Sequence, residues 1–180
     1  SEAFRSADVA IEFTAPSVAY GNCLEAFKNG VKVVSGSTGW MGEHGEEMRR
    51  LCAEEGKTLF WSSNFSLGVA IFSAVNKYLA KIMNNFPNYD VSMVETHHIH
   101  KLDAPSGTAV ALGEVLKESA GDDYYFVYDR SSERKPRDKK EIGLSAVRGG
   151  NIVGEHEVIF AGEDEVITFK HTAYSKAVFA

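Results

Sequence analysis

The sequence is poor in cysteine and has no long apolar run. Only two cysteines, Cys23 and Cys52, occur in 180 residues. Both fall in predicted helices, so we expect small buried thiols in a reducing compartment and no disulfide. No apolar run approaches the length of a membrane span, and no signal peptide is expected at the start. These features argue against a secreted disulfide scaffold or a membrane protein and predict a cytoplasmic location.

An excess of positive charge is also lacking. The 19 lysines and arginines are outnumbered by 25 acidic residues, which gives a net charge of -6. No general affinity for nucleic acid is therefore expected. The composition is 44% hydrophobic and 24% charged, which is typical of a globular chain that can bury one good core or two small ones.

The first third of the chain alternates short apolar strands with helices. Strands are predicted over residues 8–14, 31–34 and 58–62, with one helix starting at Pro16 and capped by Ser17, and another over residues 43–55. Links this short predict right-handed crossovers and a parallel sheet. In such a sheet, ligands bind beyond the carboxyl ends of the strands. The residues at those ends are Thr14, Gly36, Ser37, Thr38, Ser62, Ser63, Asn64 and Phe65. They are small, polar or aromatic, and they predict a cofactor crevice.

The rest of the chain predicts a unit of a different kind. Helices are expected over residues 67–84 and from Thr108 to the Gly121-Asp122-Asp123 break. The apolar stripe of the first helix is expected to lie in the core; it consists of Ile71, Val75, Tyr78, Leu79 and Ile82. Strands are predicted over residues 90–97, 124–128, 142–148, 152–161 and 165–173.

Two turn signals predict how the last three strands pair. Gly149-Gly150-Asn151 and Gly162-Glu163-Asp164 are typical of hairpin turns, and consecutive hairpins form an antiparallel meander. The expected fold class is α/β plus α+β. A partial Rossmann-type parallel sheet is followed by a domain with a mixed, largely antiparallel sheet that is covered by two helices.

The densest chemistry lies in Glu-Thr-His-His-Ile-His-Lys-Leu-Asp-Ala-Pro-Ser-Gly-Thr-Ala, residues 95–109. It contains three of the six histidines, His97, His98 and His100, at the end of a predicted strand. Lys101 adds a positive charge, and a helix capped by Ser106 offers free backbone N–H groups beside Gly107 and Thr108. These groups together predict an anion-binding site, and a histidine next to it could act as a general acid near neutral pH.

Two other interpretations of this stretch remain open. His97, His98 and His100 could ligate a metal ion, but Lys101 would repel a cation and no cysteine lies nearby, so no metal is expected. The stretch could also belong to a non-catalytic module that binds anions.

Residues 129–141 form the most charged segment, with six basic residues among Asp129, Glu133, Asp138 and Glu141. A solvated mobile loop is the favoured interpretation, and a basic lid over an acidic ligand is the alternative.

Residues 95–109 resemble the signature of the dihydrodipicolinate reductase family, close to Glu-x-His-His-x-x-Lys-x-Asp-x-Pro-Ser-Gly-Thr-Ala. Gly-Ser-Thr-Gly-Trp at residues 36–40 and Ser-Asn-Phe-Ser at residues 63–66 are similar to the family's loops at the nicotinamide end of the cofactor. The resemblance implies an oxidoreductase that reduces dihydrodipicolinate with NADPH or NADH in the diaminopimelate–lysine pathway. It also implies a homotetramer, in which His156 and His171 have a role in the structure or at the interface.

The resemblance also assigns roles to individual residues. His97 and Lys101 would be catalytic, with His97 as proton donor. The substrate dicarboxylate would bind to His98, Lys101, Ser106, Gly107 and Thr108. The cofactor would bind to Thr14, Gly36, Ser37, Thr38, Ser62, Ser63, Asn64 and Phe65.

The sequence departs from the family in two respects. It contains no Gly-x-Gly-x-x-Gly fingerprint. In the family this fingerprint lies upstream of the position that matches residue 1. The alternative interpretation is therefore a non-catalytic fragment with an incomplete cofactor site. Lys176 stands where the family is expected to place an arginine. Lysine keeps the positive charge but cannot form the two parallel hydrogen bonds of a guanidinium group. The implied domains are residues 1–66 for the dinucleotide, residues 67–175 for substrate and oligomerisation, and residues 176–180 for the return to the first domain.

Overall fold

The computed structural model describes residues 2–121, 123–128, 130–132 and 134–179. It divides into two compact units, Ser1–Phe65 and Ser66–Ala180. Asp122, Asp129 and Glu133, which belong to the predicted helix end and charged segment, lie outside the described residues. None of the described helices is both long enough and apolar enough to cross a membrane.

The first unit is a three-stranded parallel sheet with two helices. After a short 3-10 helix (Glu2–Ser6) come β1 (Val9–Glu12), α1 (Pro16–Lys28), β2 (Lys32–Ser35), α2 (Met41–Glu54) and β3 (Leu59–Trp61). The strand order is β1-β2-β3, and both pairings are parallel. The register aligns Glu12 with Ser35, and Ser35 with Trp61, so all three strands end at the same edge.

A small apolar core holds these elements together. The cluster consists of Ala19, Cys23, Ala26, Phe27, Val31, Val33, Trp40, Met48 and Leu51. Helix α1 starts with Pro16 in its first turn, where a missing N–H costs nothing, and Ala15 precedes it without a side-chain cap. The predicted cap Ser17 is therefore wrong, because Ser17 lies inside the helix. Both cysteines are free.

The second unit contains two helices and a five-stranded sheet. Its elements are α3 (Leu67–Met83), β4 (Asp90–His97), α4 (Gly107–Ala120), β5 (Tyr125–Val127), β6 (Glu141–Arg148), β7 (Gly154–Ala161), β8 (Val166–Ala173) and a 3-10 helix (Lys176–Phe179). The strand order is β5-β6-β4-β7-β8. Strand β4 pairs parallel with β6 and antiparallel with β7. The predicted fold class, a parallel sheet with helices followed by a mixed sheet, is confirmed.

The predicted meander is wrong in one respect: β4 lies between β6 and β7. Gly149-Gly150-Asn151 does not close a hairpin. Instead the N–H of Gly149 donates to the carbonyl of His97 at 2.9 Å, and the N–H of Ile99 donates to the carbonyl of Gly150 at 3.2 Å. The turn thus passes around the end of β4. The second predicted hairpin, between β7 and β8, is confirmed.

The helices of this unit pack on one face of the sheet. The core contains Phe72, Ala80, Met83, Met93, Ala109, Leu112, Leu116, Ile142, Leu144, Val158 and Phe160. The predicted core stripe of α3 is wrong: Ile71, Val75, Tyr78 and Ile82 are exposed, and only Leu79 packs against the core. The buried face of α3 includes the polar Asn76, whose amide donates to the carbonyl of Leu112 at 3.1 Å.

Ion pairs join several described side chains of the charged segment to the strands. Arg130 pairs with Glu141. Asp90 accepts from both Arg137, at 2.7 Å, and Lys139, at 2.8 Å. Arg130, Arg137 and Lys139 thus connect this segment to β4 and β6.

Candidate functional site

The end of β4 carries the principal candidate site. Successive side chains of a strand point to opposite faces, so Met93, Glu95 and His97 all point towards the side covered by α3 and α4. Met93 joins the apolar core there. Glu95 and His97 are also buried, which places a carboxylate and an imidazole where an apolar pair would be expected.

Glu95 is the centre of the hydrogen-bond network. Its Oε2 bonds to Nδ1 of His97. Its Oε1 accepts from Nη2 of Arg148 at 2.8 Å and from the backbone N–H of Ser106 at 3.3 Å. One carboxylate thus joins the end of β4, the end of β6 and the start of α4.

The environment of His97 favours its neutral form. Burial lowers the pKa of His97, Glu95 opposes this, and the positive charges of Lys101 and Arg148 lower it further, so the net shift is downward. The other ring nitrogen, Nε2, lies beside Gly154, where an added Cβ would stand only 3.0 Å away. A side chain at position 154 would therefore obstruct Nε2.

A second buried histidine, His156, packs against the first. The ring centroids of His97 and His156 are 5.2 Å apart in an edge-on arrangement. Nε2 of His156 lies 3.1 Å from Oγ of Ser106, and its Nδ1 has no hydrogen-bond partner in the part of the chain that the structure describes. Burial, with smaller contributions from His97, His171 and Lys101, lowers the pKa of His156 to about 3.

Several basic side chains lie around His98 in the loop after β4. Burial lowers the pKa of His98, and the nearby charges of Lys176, His100, Lys101 and Arg148 act in the same direction. The rings of His98 and His100 are 6.2 Å apart. Lys101 donates to Asp103 at 2.8 Å and keeps part of its side chain exposed. Such a concentration of positive charge attracts an anion.

The start of α4 has the predicted cap, and the cap residue is buried. Oγ of Ser106 accepts from the N–H of Ala109 at 3.1 Å and so caps the helix. The residue is only 2% exposed, and its hydroxyl points into the protein. Gly107 is exposed and Thr108 is partly exposed, so these two residues present the helix start to solvent.

A metal site is not favoured by the charges around these histidines. Among the described residues, one group, Glu95, His97 and His156, brings potential ligand atoms within 4.8 Å of one another. This is not the predicted trio of His97, His98 and His100. The carboxylate already forms an ion pair with Arg148, and Lys101 adds a second positive charge. Glu95, Arg148 and the position of His156 were missed by sequence reasoning, although Glu95 stands two residues before His97, on the same face of a strand.

The second candidate site lies at the strand ends of the first unit. Glu12, the last residue of β1, is buried and accepts hydrogen bonds from Ser35 Oγ at 2.6 Å, from Ser37 Oγ at 2.9 Å and from Thr14. Burial raises the pKa of the Glu12 carboxyl, but the hydrogen bonds from Ser35, Thr14 and Ser37 outweigh burial and lower it. Glu12 was not predicted, and it fixes the positions of two predicted cofactor residues.

The predicted cofactor residues are brought to one edge. Gly36 lies against the ring of Phe13, where an added Cβ would be 2.2 Å from a ring carbon, so a larger residue would require the ring to move. Phe65 packs on Phe13 with ring centroids 5.6 Å apart. The Ser37 carbonyl accepts from the indole of Trp40 at 2.9 Å. Ser62 Oγ donates to the carbonyl of Asn64 at 2.7 Å; Thr14, Thr38 and Ser63 are exposed.

This edge fits one end of a dinucleotide. Exposed hydroxyls and an aromatic ring beyond parallel strands suit a nicotinamide and its ribose. The described residues of this unit include no Gly-x-Gly-x-x-Gly turn of the kind that binds a pyrophosphate.

Comparisons with known proteins match both units. A family model described as dihydrodipicolinate reductase, N-terminus, matches residues 1–65, and one described as dihydrodipicolinate reductase, C-terminus, matches residues 68–180. The 4-hydroxy-tetrahydrodipicolinate reductase of Methanocaldococcus jannaschii is 41% identical over 172 residues, which cover 96% of this chain and 62% of the relative. The enzyme of the same name from Clostridium novyi is 39% identical over 97% of this chain and 68% of the relative.

A solved structure gives the same result. The dipicolinate-bound dihydrodipicolinate reductase from Paenisporosarcina sp. TG-14 superposes with a TM-score of 0.71 at 25% identity, covering 96% of this chain and 64% of that one. The chain thus spans less than two thirds of the length of this solved chain and of the Methanocaldococcus relative.

Proposed function

Since the chain belongs to the dihydrodipicolinate reductase family, we propose that it takes part in the NAD(P)H-dependent reduction of dihydrodipicolinate to tetrahydrodipicolinate in the diaminopimelate–lysine pathway. The observation that carries this proposal is the arrangement at the end of β4. His97 ends β4, and His98 and Lys101 follow it in the loop that leads to α4. All three match the family signature residue by residue. The two free cysteines suit a reducing compartment, which supports action in the cytoplasm.

The reaction requires a hydride and a proton. Thr14, residues 36–38 and residues 62–65 at the strand ends of the first unit would hold NADH or NADPH, which would supply the hydride. The substrate ring that accepts the hydride would gain electron density on an adjacent atom, and that atom must then receive a proton. His97 is the proposed donor, and because its Nδ1 is bound by Glu95, the proton leaves from Nε2. The donating form is then the imidazolium, which Glu95 stabilises.

The substrate carries two carboxylates, and the basic groups around His98 are proposed to bind them. Lys101 supplies a charge-assisted hydrogen bond, and His98 stands within the same group of positive charges. The exposed start of α4 at Gly107 and Thr108 adds backbone donors and a hydroxyl. Ser106 contributes by capping the helix, which fixes those donors in place.

The proposal is tested by NAD(P)H oxidation, followed by absorbance, with dihydrodipicolinate as substrate. Turnover supports the reductase. The competing proposal, an anion-binding fragment without a complete cofactor site, predicts that pyridine-2,6-dicarboxylate binds without any turnover. A chain that neither turns over nor binds this dicarboxylate would contradict both.

We expect Lys101→Ala to weaken pyridine-2,6-dicarboxylate by about 10–100-fold, since a hydrogen bond to a charged group contributes about 1.5–3 kcal/mol. Thr108→Val should weaken the ligand less, because it removes a neutral hydroxyl. Isothermal titration calorimetry measures both effects. Lys77→Ala, which removes an exposed lysine on α3, serves as the control for net charge. Equal losses for Lys101→Ala and Lys77→Ala would show that only the overall charge matters.

We also propose that the chain self-associates through the open face of the second sheet, as a homotetramer. Both helices pack on the other face. The alternation of side chains along β6 and β8 places Val147 and Val166 on the open face, where they are 46% and 60% exposed. Apolar residues in such a position favour a partner surface. Sedimentation is expected to give a mass several times the 19.7 kDa of one chain, and Val147→Asp is expected to reduce it. A monomer at micromolar concentration would contradict this interface.

A further inference from the structure

Glu95 is a buried carboxylate that bonds to three groups of the candidate site among the described residues. It is 1% exposed, and a buried charge is costly unless it is paired and hydrogen-bonded. Both of its oxygens have partners: Oε2 bonds to Nδ1 of His97, and Oε1 accepts from Arg148 and from the N–H of Ser106. Removing the carboxylate would leave all three groups without this acceptor.

The bond to Glu95 determines which nitrogen of His97 carries the hydrogen. An ionised carboxylate only accepts hydrogen bonds, so Nδ1 must be the N–H nitrogen when the imidazole is neutral. Nε2 is then the nitrogen left to exchange a proton with a ligand. The space beside Nε2 is open because residue 154 is a glycine. A Cβ at this position would stand 3.0 Å from Nε2 and obstruct it.

We infer that Glu95 is a positioning residue: it holds the His97 ring with Nε2 directed away from the network and ties that ring to the end of β6 and the start of α4. Arg148 completes the arrangement, because its Nη2 also donates to the backbone carbonyl of Asp103 at 2.6 Å. The carboxylate therefore links the proton donor to the loop that carries Lys101. The consequence for turnover rests on the proposed function, whereas the tautomer of His97 can be measured without it.

The charges around His97 predict how the variant Glu95→Gln behaves. The groups that face His97 are Glu95 on its own strand, Lys101 in the loop, Arg148 on β6 and His156 on β7. Glu95 is the negative member of this set. Without its charge, the two cations and burial act unopposed on the pKa of His97, and the protonated form is reached only at lower pH.

The experiment combines nitrogen-15 NMR of the histidine side chains with pH-dependent kinetics. In the wild-type chain, neutral His97 is expected as the Nδ1–H tautomer. In Glu95→Gln, the amide can also donate, so the single tautomer is lost and the titration of His97 moves to lower pH. The turnover number should fall by about tenfold or more, as part of the 10²–10⁴ that a positioned proton donor contributes, and the pH–rate profile should move to lower pH.

Two further variants separate positioning from a general structural effect. Glu95→Asp keeps the charge and should restore the titration of His97 in part. Glu114→Gln changes an exposed carboxylate of α4 and should leave the tautomer and the profile as in the wild type. If Glu95→Gln does not fold, the wild-type NMR spectrum still decides the question, because an Nε2–H tautomer of neutral His97 there overturns the inference. An unchanged pH–rate profile in a folded Glu95→Gln also overturns it. If turnover is absent in the wild type, the proposed function fails while the tautomer measurement stands on its own.

Discussion

His97→Gln is expected to lower the turnover number by about 10²–10⁴-fold, the contribution of a positioned proton donor, and to leave the melting temperature near that of the wild type. Glutamine has no group that can deliver a proton at neutral pH. Its side-chain amide can still donate a hydrogen bond to Glu95, so the buried carboxylate keeps a partner from β4. The loss should therefore appear in catalysis and not in folding.

The measurement is steady-state NAD(P)H oxidation beside a thermal melt of each variant. His100→Gln is the matched control, since His100 is an exposed histidine in the same loop, and it should change the turnover number little. Full turnover in His97→Gln would assign the proton to another source, with Lys101 or water next in line. A variant that unfolds would show that His97 is structural.

Local patterns were sufficient to predict most of the individual helices and strands. Residues 90–97 were predicted as a strand, and β4 has those bounds. Ser106 was predicted as the cap of α4 and accepts from Ala109. These features depend on neighbours in sequence, namely alternation along a strand and a hydroxyl before a helix.

Features that depend on distant parts of the chain could not be predicted in this way. Gly149-Gly150-Asn151 has the composition of a hairpin turn, but the insertion of β4 between β6 and β7 is a long-range pairing that a local turn signal does not encode. On α3, apolar residues occupy both faces, so the pattern could not show that Phe72 and Ala80 face the sheet while Ile71 and Tyr78 are exposed. The network of Glu95 joins residues 53 positions apart in sequence, and its contacts exist only in the folded sheet.

The second unit is expected to lose stability in mild acid because of His156. Burial lowers the pKa of His156 to about 3 in the folded chain, whereas an unfolded histidine titrates near about 6.5. Between these two values the unfolded chain binds a proton that the folded chain does not. Stability is therefore fully present above about pH 6.5 and falls as the pH falls towards 3. By pH 5 the loss from this one residue is about 2 kcal/mol, at about 1.4 kcal/mol per pKa unit.

The test is urea unfolding at pH 7.5 and at pH 5, followed through backbone NMR signals of β7. These signals are needed because both tryptophans of the chain, Trp40 and Trp61, lie in the first unit. Tryptophan fluorescence therefore does not report on the second unit. Above pH 5, carboxyl groups with lowered pKa values, such as those of Asp90 and Asp103, stay ionised and contribute little to the slope.

His156→Gln isolates the contribution of His156. Glutamine cannot be protonated in this range, and its amide can replace the hydrogen bond between Nε2 and Ser106 Oγ. The variant is expected to lose about 2 kcal/mol less than the wild type on going from pH 7.5 to pH 5. His97 and His171, whose pKa values are also lowered by burial, remain in the variant and account for the slope that persists. Equal losses in the wild type and His156→Gln would mean that His156 is protonated in the folded chain at pH 5, and that its buried Nδ1 has found an acceptor.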